Sequence, residues 1–220
     1  MTVDALAGAY QAKPETYYGA ARRDWLERMP RDGALRVLEL GCGSGATGAL
    51  ALSLGKCGEW VGIERHGPAA TEAAGALTQV IEGDIDGLEL PFAGESFDLL
   101  VMGEVLEHLP DPDTVLARLV RFLKPGGKAL ASTPNIGHWR IVASLVAGRF
   151  DYEAEGVMDR THLKWFTPRS LRRAFGAAGL IDVSVEPLGW SQRDRALARA
   201  FPFSHLLWRQ IEARGVKPAT

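Results

Sequence analysis

The chain has 220 residues, 46 % of them hydrophobic and 24 % charged, with a formal net charge of −2. That balance suits a single globular α/β domain with its own core, and it lacks the basic excess of a general nucleic-acid binder. It contains no run of 18 apolar residues, so no membrane span is expected.

In chain order, the first thirty residues read as a cap. Val3 to Ala12 predicts a short helix and Glu15 to Met29 a second segment, with Tyr17 and Tyr18 between them. The start contains Asp4 and no basic run before an apolar core, so it does not read as a secretory signal. Val37-Leu38-Glu39-Leu40 then predicts a buried parallel strand, and Gly41-Cys42-Gly43-Ser44-Gly45 a tight turn onto a helix from Ala46 to Leu54. Bare glycine backbone lets a ligand press close. This is the ligand-binding corner of a doubly wound α/β sheet.

Glu39 bears on what that ligand is. A pyrophosphate is held by amide N–H groups and a helix dipole. A carboxylate two residues before the first glycine would oppose it, and a ligand with positive centres is favoured instead. S-adenosylmethionine has two such centres, a sulfonium and an ammonium. A nicotinamide or flavin cofactor stays open, because Gly41, Gly43 and Ala46 also satisfy the loose dinucleotide fingerprint. So does a tight turn with no ligand.

Further strands follow at 59–64, 79–83 and 96–103. Glu64, 23 residues after Gly41, ends the second strand where an acid can accept from both ribose hydroxyls, with Arg65 beside it. Asp84 follows the third strand and can accept from an adenine amino group, while Ile85 can pack on the ring. The fourth strand runs into Gly103-Glu104-Val105-Leu106-Glu107-His108. Leu123 to Lys128 predicts a helix end and a turn before a fifth strand from Ala129 to Thr133.

The second half is where an acceptor is expected to bind. Thr133-Pro134-Asn135 ends the fifth strand, and His138, Trp139 and Arg140 lead into a helix through Ala147. Arg149 to Phe166 reads as a loop-rich insert too polar for core, with Asp159, Arg160 and His162 in it. Thr167 and Pro168 are N-cap and N1 of a helix ending at Gly179. The last strands are expected at 180–188 and 209–216.

Four stretches, LELGCGSG, VGIE, FDLLVMGEVLEHLPDP and LKPGGKALASTPN, together resemble the class I S-adenosylmethionine-dependent methyltransferases, in family order over residues 35 to 135. The resemblance implies a Rossmann-like α/β fold: a seven-stranded, mostly parallel sheet with an antiparallel last strand, helices on both faces and a small N-terminal cap. It implies one domain over 1–220, divided as cap 1–30, donor core 35–135, acceptor-side insert 136–166 and C-terminal part 167–220. It implies S-adenosylmethionine as donor and S-adenosylhomocysteine as product. Tyr18, Glu39, Gly41, Cys42, Gly43, Gly45, Glu64, Arg65, Asp84, Ile85, Gly103 and Glu104 would then line the donor. His138, Trp139, Arg140, Asp159 and Arg160 would meet the acceptor. PNIGHWRIVASLVAGRF is similar to the methionine-biosynthesis protein MetW, and DRTHLKWFTPRSLRRAFGAAGL to small methyltransferases of cell-surface polysaccharide genes. VLEHLPDP resembles ubiquinone-type O-methyltransferases.

Methyl transfer is mostly alignment and desolvation, but a hydroxyl acceptor also needs a base. His108 is the first candidate and His162 the second. No His, Cys and Asp group has metal-ligand spacing, so no metal is expected. Cys42 and Cys57 lack paired spacing and read as reduced thiols of a cytoplasmic protein. Residues 160 to 217 hold eleven Lys and Arg against four acids, a balance of +7. That lobe suits an anionic small-molecule acceptor. Arg193, Arg195 and Arg199 before Phe201 and Phe203 suit a weak peripheral membrane contact. The reading is methyl transfer to an oxygen of a sugar, polyketide or cell-envelope precursor. The alternatives are a MetW-like donor-binding regulator and, third, a nicotinamide-dependent oxidoreductase. Oligomeric state is not encoded in these motifs.

Overall fold

In a computed structural model, the described residues are 21–27, 29, 33–191, 194 and 201–219. Helix α1 (Arg23–Leu26) buries Trp25 and Leu26. The expected helix at 3–12, Tyr18 and the basic triplet Arg193, Arg195 and Arg199 lie outside the described residues.

Seven strands form one sheet, β1 (Arg36–Leu40), β2 (Glu59–Glu64), β3 (Gln79–Glu82), β4 (Phe97–Gly103), β5 (Leu123–Pro134), β6 (Ile181–Pro187) and β7 (Gln210–Val216), in the order β3-β2-β1-β4-β5-β7-β6. β1 pairs in parallel with both β2 and β4, and β2 with β3. β6 and β7 are antiparallel. This is the expected architecture, mostly parallel with an antiparallel last strand.

The described residues pack as two compact units, one of those up to 102 with 121–128 and 219, the other of those in 103–120 and 129–218. In the first unit, β1, β2 and β4 bury Val37, Leu38, Trp60, Val61, Ile63, Leu100 and Met102 almost completely. Such apolar runs are what a central parallel strand requires, because both its faces are covered. Helices α2 (Ala46–Ser53) and α3 (Gly67–Ala74) follow β1 and β2. α2 approaches β2 closely: a Cβ on Gly48 would lie 2.5 Å from side-chain atoms of Trp60 and Leu77.

In the second unit, α4 (Pro112–Val120) buries Val115, Leu116, Leu119 and Val120. Helix α6 (Pro168–Ala177) opens on the expected cap. Thr167 Oγ1 accepts from the Ser170 amide, and Ser170 Oγ accepts from the Thr167 amide. Helix α5 (Trp139–Val146) has no buried residue.

Two sequence expectations change. The Lys124-Pro125-Gly126-Gly127 stretch lies inside β5 rather than before it. Lys124 is drawn into the strand by its ion pair with Asp98, 2.7 Å away. Gly127 permits the close approach, since a Cβ there would meet the Lys124 carbonyl at 2.8 Å. The insert is also not excluded from the core. Val157, Met158, Asp159, Thr161, His162 and Phe166 are all buried, the polar ones by finding partners within the segment.

Candidate functional site

The first unit holds the glycine corner. Gly41, Gly43 and Gly45 all have left-handed φ, +71°, +54° and +81°. That region is open to glycine and costly for other residues, so the three glycines are needed for this turn. The turn delivers Gly43 N–H to Glu64 Oε2 at 2.9 Å. Glu64 Oε1 accepts from the His66 amide at 2.8 Å. Two backbone donors therefore fix one buried carboxylate beside the loop, with lone pairs left over for further donors.

Glu39 is buried at the end of the same corner, where its Oε2 accepts from the Trp60 indole at 2.7 Å. Burial raises its pKa to about 7; the Trp60 bond and Arg22 oppose the rise, while Glu64 adds to it. Cys42 and Cys57 are free, buried thiols. Burial, with Glu39 and Glu64 near it, pushes the Cys42 thiol far up, and burial alone raises Cys57 to about 11. Neither is a ready nucleophile.

Asp84 pairs with Arg65 at 3.4 Å, half in solvent, and its Oδ1 accepts from the Asp86 amide. Ile85 beside it is buried. The first unit thus brings Glu39, Gly41, Cys42, Gly43, Gly45, Glu64, Arg65, Asp84 and Ile85 along the ends of β1, β2 and β3. These residues fit a donor with positive centres. Two buried carboxylates sit at one glycine corner, and a cation there relieves the cost of their burial.

The second unit opens with Gly103 and Glu104. Glu104 adopts a left-handed φ of +54°, held by its amide donating to the Ser132 carbonyl. Gln210 donates to Glu104 Oε2 at 3.2 Å. A non-glycine residue in that region is strained and marks a position fixed by its surroundings.

The turn Leu106–His108 and the insert meet here. The Glu107 carbonyl accepts from the Leu163 and Lys164 amides. His108 Nδ1 lies 3.1 Å from the Thr161 carbonyl and His162 Nδ1 3.0 Å from the Val157 carbonyl. The two rings stand edge to face, 4.8 Å apart. The two base candidates, 54 positions apart in sequence, are thus neighbours, and both are buried. Glu107 is buried with them. Burial first, then the charges of Glu104 and Asp159, hold its carboxyl well above the ordinary carboxylate range.

A cavity of about 670 Å³ in this unit is lined by His138, Trp139, Arg140, Arg149, Phe150 and Arg209, among others. His138 caps α5 by accepting from the Arg140 amide, and burial with Arg140 and Arg209 lowers its pKa. Asn135, fully buried, donates to the His205 and Trp208 carbonyls. Of the expected acceptor residues, His138, Trp139 and Arg140 line this cavity and Asp159 and Arg160 do not. Asp159 is used internally, accepting from the Thr161 amide and hydroxyl. Sequence reasoning missed Arg149, Phe150 and Arg209, which lie far from any motif, and Glu107, which stood in plain view between Glu104 and His108.

The chain matches the methyltransferase-domain family over residues 14–185. It is 40 % identical over 199 residues to a 2-phytyl-1,4-naphtoquinone methyltransferase of Synechococcus elongatus, covering 86 % of this chain and 78 % of that one. It is 28 % identical over 178 residues to a ubiquinone biosynthesis O-methyltransferase of Aeromonas salmonicida, covering 77 % and 73 %. Its fold matches a SAM-dependent methyltransferase from Archaeoglobus fulgidus with a TM-score of 0.65 at 18 % identity, over 98 % of this chain and all of that one. The chain therefore belongs to the class I S-adenosylmethionine-dependent methyltransferases. Its methyl donor is S-adenosylmethionine, and the oxidoreductase alternative falls. No helix among the described residues is long and apolar enough to cross a membrane.

Proposed function

We propose that the chain methylates an oxygen of a small, ring-bearing acceptor that carries a negative charge, and that it works in the cytoplasm. The observation that carries the acceptor class is the cavity in the second unit, where three arginines (Arg140, Arg149 and Arg209) line the same space as Trp139 and Phe150. Guanidinium groups pair with carboxylate or phosphate in fixed geometry, and an indole or phenyl face accepts a ring. Asp151 and Glu153 on the same lining moderate the charge and supply acceptors for acceptor hydroxyls. A sugar, polyketide or cell-envelope precursor with an acidic group satisfies all of this. Oxygen as the methylated atom is supported by the relative named an O-methyltransferase. Quinones in the names of two relatives favour a hydroxylated aromatic ring among these.

On this reading Glu64, Asp84 and the Gly41–Gly45 turn hold the donor, with Glu39 near its positive end. When bound, the donor supplies a methyl carbon already activated by a sulfonium. The protein's own part is positioning and exclusion of water, which can account for roughly 7–11 kcal/mol of barrier. The test is a labelled-methyl transfer assay over hydroxylated aromatic acids and their methyl esters. The free acids are expected as the better substrates, with a Michaelis constant that rises with salt. Equal turnover of acid and ester, at a constant insensitive to salt, overturns the anionic acceptor.

A further inference from the structure

The least expected feature of the second unit is the meeting of Glu107, His108 and His162. Each offers one potential ligand atom, and these atoms all lie within 4.8 Å of one another. The residues are only 1 %, 8 % and 7 % exposed. A carbonyl oxygen can only accept, so the contacts at Thr161 and Val157 place the proton of each neutral ring on Nδ1. Nε2 is then the nitrogen that carries the lone pair. Imidazoles that bind metals are held in this way, with the second ring N–H donated to a backbone carbonyl or carboxylate. The carboxylate supplies the third observation. Neither oxygen of Glu107 receives a hydrogen bond from another residue, which is rare for a group so deeply buried. The two imidazoles and the carboxylate thus bring one potential ligand atom each to one small buried space. Removing such a carboxylate from water without a donor from its neighbours is costly, and a cation among the three groups offsets that cost.

We propose that Glu107, His108 and His162 bind a divalent first-row transition ion of the Zn²⁺ type. Two imidazole nitrogens and one carboxylate oxygen suit Zn²⁺, Co²⁺, Fe²⁺ or Mn²⁺, whereas Mg²⁺ and Ca²⁺ prefer oxygen alone. Three protein ligands leave a fourth position for water or for an oxygen of another molecule. A tetrahedral set has ligand atoms roughly 3.4 Å apart, so a pair at the 4.8 Å limit draws in by about 1.4 Å on loading. The frame for this exists already. The Glu107 carbonyl is tied to Leu163 and Lys164, and Asp159 fixes Thr161, whose carbonyl orients His108. Glu104 and Asp159 add negative charge near Glu107, which favours a cation. The site goes beyond the methyl-transfer reading and does not depend on it.

The experiment is a Co²⁺ titration of the whole, chelator-stripped protein, followed by its visible spectrum and by elemental analysis. One equivalent is expected, with the ligand-field bands of nitrogen and oxygen donors and no thiolate charge-transfer band, and Zn²⁺ should displace it. Glu107→Gln and His162→Gln should each weaken Co²⁺ binding by more than about 100-fold, the upper end of what losing an outer-shell partner costs. Circular dichroism and S-adenosylhomocysteine binding show whether the variants fold. If they do not, the wild-type spectrum still decides. Binding of less than a tenth of an equivalent, or a thiolate band pointing to Cys42 or Cys57, overturns the proposal. So does full binding by the folded double variant. Loss of methyl transfer with the Co²⁺ result intact would count against the proposed function and not against this site.

Discussion

Replacing Glu39 with Gln isolates the electrostatic cost of the glycine corner. Glu39 titrates near 7 instead of 4.5 because burial disfavours its charge. The native state therefore holds a proton between pH 4.5 and 7 that the unfolded chain has lost. Stability from this group is complete below the unfolded value and falls as pH rises through the folded one. Each pH unit of separation is worth 1.36 kcal/mol, so the full loss by pH 8 is about 3 kcal/mol. Gln carries no charge and still offers an oxygen to the Trp60 indole. It forfeits only the charge-assisted part of that bond, about 1 kcal/mol. Donor-free Glu39→Gln should then be about 2 kcal/mol more stable than wild type at pH 8.5 and no more stable at pH 5. With a urea slope near 2 kcal/mol/M, the midpoint at pH 8.5 rises by about 1 M. Urea unfolding of both proteins at the two pH values reads this directly. Parallel pH dependences would refute the reasoning.

Three other outcomes follow from the packing and the acceptor cavity. Thr167→Ala removes the hydroxyl that caps α6 and should cost about 1 kcal/mol in thermal or urea unfolding, with donor affinity unchanged. Gly48→Ala forces a methyl into space already held by Trp60 and Leu77, and should destabilise by about 1–3 kcal/mol. Arg140→Gln with Arg149→Gln should raise the Michaelis constant of an acidic acceptor and flatten its salt dependence, while a neutral analogue is turned over as before.

Much of the donor half was legible because its signals are local. A run of apolar residues, three glycines and a strand-end acid are contiguous, and β1, β2, β4, α2 and the Thr167 cap fall within a residue or two of their expected places. β5 was misjudged because Pro and Gly usually end elements, and here an ion pair from Lys124 to Asp98 carries the strand through them. The insert was misjudged because its polarity argues for solvent. Its polar groups instead satisfy one another, as Asp159 does with Thr161. The histidine pair could not be read from spacing at all, since His108 and His162 are brought together by bonds between the Leu106–His108 turn and the insert, from the Glu107 carbonyl to two insert amides and from His108 to the Thr161 carbonyl. Arg209 reaches the cavity from the residue before β7, which no motif marks.

The central claim is that the glycine corner with Glu64 binds the methyl donor. Calorimetric titration of the wild type and of Glu64→Ala with S-adenosylhomocysteine tests it most directly. The account predicts one site of micromolar affinity, near −8 kcal/mol, in the wild type. It predicts a loss of about 1–3 kcal/mol in the variant, where a charged hydrogen-bond partner is gone. Absence of binding by the wild type, or equal affinity in folded Glu64→Ala, would contradict it.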